Sequence, residues 1–84
     1  MTTPSQIRDA LVAMAAAELG GEVDTDMFTG DTELAAALDS MQLLSLVVQV
    51  EDHFKVILEE HEEATVVTVD DLVGLVAQKL AEAP

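Results

Sequence analysis

Apolar residues at Ile7, Leu11 and Met14 or Ala15 recur at helical spacing, the pattern that puts one apolar residue per turn on a buried face. The Ala-rich stretch from Ala10 to Ala17 raises helix propensity further. Thr3-Pro4-Ser5-Gln6 supplies the start: Thr at the N-cap, Pro at the first helical position and Gln three after the cap. Gly20-Gly21 supplies the stop, after Leu19. A second helix opens at Asp39, a strong N-cap, with Gln42 at the capping-box spacing, and runs to about Phe54. Its stripe of Leu43, Leu46, Val47, Val50 and Phe54, at offsets 0, 3, 4, 7 and 11, is expected to face the core. Met41, Leu44 and Val48, at offsets 0, 3 and 7, form a second apolar set on a neighbouring face. This helix therefore carries more apolar surface than one core contact requires.

Glu59 to Glu63, around His61, reads as one or two helical turns. Thr68 caps a last helix, with Asp70 and Asp71 near its positive end and an inner stripe of Leu72, Leu75, Val76 and Leu80. Val66, Val67 and Val69 are β-branched, but an isolated strand would have no partner in this chain, so a strand is rejected. Residues 22–38 keep neither a period of 2 nor one of 3.6. The Ala35-Ala36-Ala37 run has the composition for a short turn of helix, and the segment as a whole reads as an ordered loop pinned by Phe28 and Leu34. The expected fold is all-α: a small four-helix bundle of three main helices and one short one, with a long loop between the first and second. Residues 1–84 make one domain.

Composition narrows the function. Of 84 residues, three are Lys or Arg and seventeen are Asp or Glu, a formal charge of −14. Half are hydrophobic, which excludes a disordered acidic tail. Such a chain is repelled by phosphate backbones, so no nucleic acid is expected as a partner, nor an anionic membrane surface. The longest apolar run, Ala10 to Ala17, is too short to span a bilayer. Met1-Thr2-Thr3-Pro4 lacks the basic region of a signal peptide. The expectation is a cytoplasmic, monomeric protein. Absence of Cys removes disulfides and thiolate metal sites. A domain this small buries only about 60% of its unfolded surface, so a large enclosed active site is not expected.

One residue stands out. Ser40 directly follows the N-cap of the central helix, at the end of the long loop. A helix start offers unpaired N–H groups and a partial positive charge of roughly +0.5, so a phosphate ester on Ser40 would be well placed there.

The string Leu38-Asp39-Ser40-Met41, followed by Leu46, Val47, Glu51, Asp52 and Phe54, resembles the acyl carrier protein signature. The resemblance extends over nearly the whole chain: first helix, long loop with Phe28, motif helix, short acidic helix, and a final helix after Thr68-Val69. It implies a four-helix bundle that is not an enzyme. It implies that Ser40 carries 4′-phosphopantetheine, moved from coenzyme A by a phosphopantetheinyl transferase, with Asp39 as the preceding motif residue. The thiol of that arm would carry acyl groups as thioesters between acyl-loading, condensing or acyl-transfer enzymes of a fatty-acid, polyketide or related pathway. The apolar bundle interior would shelter a chain between visits. Asp39, Glu51 and Asp52 would steer basic docking surfaces, and Met41, Leu44 and Val48 would supply the apolar contact.

The chain departs from the family pattern at four places. Met41 replaces the usual Leu, Ala36 and Ala37 stand where a Gly is common, Ser45 occupies a frequent Glu position, and Glu59 lies where a Pro often starts the short helix. These leave the attachment chemistry intact but bear on partner identity, and fit a dedicated carrier of a specialised pathway. Two alternatives stay open: an aminoacyl or peptidyl carrier using the same arm, and an unmodified acidic helical adaptor for a basic partner.

Other constellations are weaker. His53 and His61 lack the i, i+4 pairing of two ligands on one helix face, so no metal is expected. Asp24, Asp26, Gly30 and Asp31 are spaced somewhat like a calcium loop, but Phe28 takes the fifth position and Ala35 the twelfth. Ser40 lacks a nucleophile elbow, and nearly every acid is expected to be exposed, so no catalytic residue is assigned.

Overall fold

The computed structural model describes residues 2–20 and 28–82. Among the described residues five helices follow in order: α1 (Pro4–Glu18), α2 (Leu34–Ala37), α3 (Ser40–Phe54), α4 (Glu60–Glu63) and α5 (Val69–Glu82). The long helices start where local chemistry asks them to. Thr3 Oγ1 accepts the Gln6 N–H at 3.2 Å while Gln6 Oε1 accepts the Thr3 N–H at 2.9 Å. Asp39 and Gln42 make the same reciprocal pair at 2.7 and 3.0 Å. At α5, Thr68 Oγ1 accepts the Asp71 N–H, and Asp71 Oδ2 accepts the N–H groups of both Val67 and Thr68. Two backbone N–H bonds on one carboxylate hold the Asp71 pKa below its ordinary value.

α1 lies against both α5 and α3, and α2 against α3. Ile7, Leu11, Ala15 and Ala16 of α1 meet Leu46 and Val50 of α3 and Leu72, Val73 and Val76 of α5 in one core. Phe28, Leu34 and Leu38 enter it from the long connection, and Val56 and Leu58 from the segment after α3. Phe28 and Leu34 thus pin the connection as expected. Asp24 and Asp26, the first two acids of the calcium-like spacing, lie outside the described residues.

Four expectations change. The bundle has two short helices rather than one, because the Ala run closes a real turn, with the Leu38 N–H donating to Leu34 O at 2.8 Å. The Val66–Val69 segment does find a partner, in residues 30–34. Glu33 and Thr68 form an isolated antiparallel bridge, flanked by Leu34 N–H to Val67 O at 2.9 Å and Val69 N–H to Thr32 O at 3.0 Å. The pairing stops at one bridge because α2 and α5 begin immediately beyond it. On α5, Val69 and Val73 are buried as deeply as Leu72 and Val76, while Leu75 and Leu80 are half-buried. Last, the acids are not nearly all exposed: Glu18, Glu51, Glu62 and Glu63 are half-buried.

These acids tie helices together. Glu18 Oε1, at the end of α1, accepts Ser45 Oγ–H at 2.6 Å and the side-chain amide of Gln49, both on α3. Gln42 Nε2 donates to the Glu18 carbonyl at 3.1 Å. Glu51 Oε2 accepts the Leu58 N–H at 3.0 Å, fastening the chain that leaves α3. Lys79 of α5 reaches Glu62 of α4 at 2.7 Å. That contact lowers the Glu62 pKa and raises that of Lys79.

Candidate functional site

Ser40 is the first residue of the fifteen-residue α3 and is exposed. The first intrahelical bond runs from the Leu43 N–H to Asp39 O at 2.8 Å, and the Gln42 N–H is taken by the Asp39 carboxylate. The N–H groups of Ser40 and Met41 come before both, so they point out of the helix start beside the Ser40 hydroxyl. Asp39 spends one carboxylate oxygen on the cap. Among the described residues no base hydrogen-bonds the Ser40 hydroxyl, so none is placed to activate it as a nucleophile.

Met41, Leu44 and Val48 are 76%, 61% and 55% exposed. The second apolar set therefore stays largely uncovered by the described residues, and it runs down α3 from Ser40. Asp52 is exposed on the same helix, within 3.6 Å of Lys55. Glu51 is not arranged like Asp52: it is half-buried and turned to the Leu58 amide. Ser45, at the position where a Glu is frequent in carriers, also faces inward, to Glu18. Glu59 begins α4 without Pro, its N–H donating to Glu62 Oε1 at 3.1 Å.

An apolar cleft of about 230 Å³ lies between α2, α3 and the α4–α5 segment, walled by Leu34, Leu43, Val47, Leu58, Val66 and Leu75. Leu43 and Val47, expected in the core, are half-buried cleft walls instead, because α2 and the connection to α5 do not close over them. They lie three and seven residues after Ser40, on the helix face that Ser40 begins. Two acids, Glu33 and Glu63, also line the cleft. Burial, then the charges of Glu51 and Glu60, raise the Glu63 pKa above its ordinary value. Glu63 is one of the acids expected to be exposed, and the pattern of the chain does not single it out. The available signal is its position between Leu58 and Val66, both of which turn inward.

The histidines do not converge. His53 packs its ring edge-on to Phe54 at 4.7 Å. His61 lies on α4, where its Nδ1 is 3.3 Å from Glu59 Oε2, and donor atoms of Glu59, His61 and Glu62 lie within 4.8 Å of one another. Glu62 is already held by Lys79, and Glu59 and His61 are solvent-exposed. No helix among the described residues is long and apolar enough to cross a membrane.

No curated protein matches the chain. Residues 9–76 match the PP-binding family, described as the phosphopantetheine attachment site. That span runs from within α1 to within α5 with Ser40 near its middle, and by it the chain belongs to the phosphopantetheine-binding, acyl-carrier-type family, whose members are carriers rather than enzymes.

Proposed function

We propose that the chain is an acyl carrier whose attachment residue is Ser40. The observation that carries this reading is the exposed hydroxyl at the first position of α3, with two outward N–H groups beside it. The residues fit the phosphate end of the arm. The hydroxyl is accessible, the helix start favours negative charge, and Asp39 is drawn back to its own cap. In the modification, a bond forms between Ser40 Oγ and the arm's phosphorus. The phosphoanhydride P–O bond of coenzyme A breaks, adenosine 3′,5′-bisphosphate leaves, and the hydroxyl proton passes to the transferase. Once attached, the arm supplies a thiol on which acyl groups are held as thioesters.

This chain's own residues do the rest by position. Met41, Leu44 and Val48 form an apolar contact surface for partner enzymes, and the −14 charge, with Asp39 and Asp52 at the surface, draws basic partners in. The cleft walled by Leu43 and Val47 offers an acyl chain a place to lie, starting from the Ser40 face of α3. Phosphopantetheinyl transferases and acyl-loading, condensing or acyl-transfer enzymes are the partners this arrangement serves.

The test is intact-protein mass spectrometry after incubation with coenzyme A and a promiscuous phosphopantetheinyl transferase. One phosphopantetheine is added to the wild type and none to Ser40→Ala. A folded wild-type protein that gains no mass, beside a carrier modified in parallel, would leave only an unmodified adaptor.

A further inference from the structure

The cleft is not a plain hydrocarbon slot. Glu63 lines it, and Glu63 is half-buried. Each of the other half-buried acids among the described residues has a partner for its carboxylate: Ser45 and Gln49 on Glu18, the Leu58 amide on Glu51, Lys79 on Glu62. Among the described residues the Glu63 carboxylate has neither a hydrogen bond nor an ion pair. A polar group taken partly out of water without a partner is unfavourable, and a donor that reaches it is gained cheaply. An acid beside apolar walls also repels a second anion more strongly than it would in water.

From this geometry we infer that Glu63 sets the class of cargo the cleft accepts: acyl chains bearing a hydrogen-bond donor, a hydroxyl or amino group, are taken in, and carboxylate-ended acyl chains are kept out. This rests on the carrier reading of Ser40. The occupant is the protein's own tethered acyl group, because the cleft begins on the face of α3 that Ser40 starts, with Leu43 one turn on and Val47 two. Glu33, exposed at the cleft's α2 side, adds charge of the same sign. The neighbouring charges of Glu51 and Glu60, which already act on Glu63, work in the same direction against an anionic tail.

The test loads the protein with three acyl chains of equal length, from octanoyl-, 8-hydroxyoctanoyl- and 7-carboxyheptanoyl-coenzyme A, using the same transferase. Loading is verified by intact mass. Two readouts follow at about pH 8, above the ordinary carboxylate range: methyl NMR shifts of Val47, Val66 and Leu75, and the rate of thioester cleavage by hydroxylamine. The hydroxylated chain is expected to shift the cleft methyls and to be cleaved most slowly. The carboxylated chain is expected to leave the methyls unmoved and to be cleaved about tenfold faster. Glu63→Gln is expected to let the carboxylated chain in and to narrow that ratio, while Asp9→Asn, exposed on α1 and away from the cleft lining, leaves it nearly unchanged. The wild-type comparison of three cargoes stands without any variant. Equal protection of all three chains, or of none, overturns the inference while leaving Ser40 as a carrier site. Failure of loading overturns both, and the mass spectrum separates the two failures.

Discussion

The side-chain carboxylate of Asp70 fills the space that a Cβ on Gly30 would need, while the Asp70 N–H donates to Gly30 O at 3.0 Å. The same carboxylate is held from the other side by Arg8 Nη2 at 2.6 Å. Three distant parts of the chain, α1, the long connection and the start of α5, therefore meet at one acid. Gly30→Ala must push Asp70 away and loosen its bond to Arg8. The expected loss is about 1 kcal/mol, since the ion pair itself is half-exposed and weak. On an Asp70→Ala background the same glycine change should cost clearly less. Equal losses in both backgrounds, in a denaturant double-mutant cycle, would show that Gly30 is required for another reason.

Leu46 and Met41 sit on the same helix, five residues apart, with opposite surroundings. Leu46 has no exposed surface and Met41 is 76% exposed. Leu46→Ala should cost about 2–5 kcal/mol through the cavity it leaves. Met41→Ala should change stability by no more than about 0.5 kcal/mol and instead slow modification or acyl transfer by partner enzymes. Urea melts of the two variants check the first half, and initial rates with a loading enzyme check the second. A Met41→Ala protein as unstable as Leu46→Ala would place Met41 in the core.

The Glu18 clasp predicts a different signature. Glu18→Ala leaves Ser45 and Gln49 without the acceptor they share. Losing a charged acceptor under part-buried donors should cost about 1–3 kcal/mol. Glu18→Gln keeps one acceptor oxygen and should recover much of that. Hydrogen exchange should localise the effect to the end of α1 and the first half of α3. Uniform loss across α5 would count against the clasp.

Lys55 caps α3 in the left-handed region, at φ 56°, without being Gly. A side chain there costs about 1 kcal/mol relative to Gly. Its partner Asp52 is highly exposed, so little is lost with the ammonium. Lys55→Gly should therefore raise the midpoint of denaturation by about 0.5–1 kcal/mol of stability. A lower midpoint would mean that the Lys55 stem packs usefully.

The contrast between what the sequence disclosed and what it hid follows the range of the interactions. Capping pairs Thr3–Gln6 and Asp39–Gln42 act over three residues, so their residue types announce them. The exposed position of Ser40 follows from that cap and nothing more distant. Met41, Leu44 and Val48 were legible as surplus, since one helix face can hold only one core stripe. The bridge between Glu33 and Thr68 joins segments 35 residues apart in the chain and has no local signature. Glu63 is similar: its acidic neighbours suggest solvent, and only the placing of Leu58 and Val66 draws it into the cleft. The stripe of Leu43 and Val47 was read correctly as inward-facing, yet periodicity cannot tell a filled core from an open groove.

Acid titration should move stability in two directions. Glu63 is held above the ordinary 4.5, first by burial and then by Glu51 and Glu60. An acid with a raised folded pKa resists ionisation, so its ionised form weakens the fold. Lowering the pH through its pKa removes that penalty. Self-repulsion at −14 has the same sign and fades as carboxylates protonate. Asp71 is held below the ordinary 3.8 by the backbone N–H groups of Thr68 and Val67, and Glu62 below 4.5 by Lys79. Their contribution is complete above the unfolded values and is lost as pH falls through the lowered folded ones. The melting temperature is therefore expected to rise from neutral pH toward 4.5 and to fall below 3.8. Glu63→Gln should flatten the rising limb and Asp71→Asn the falling one, read by calorimetry across the series. A melting temperature that declines steadily from neutral pH in the wild type would mean that Glu63 is as well solvated as its exposed neighbours, and that its cleft side is open to water.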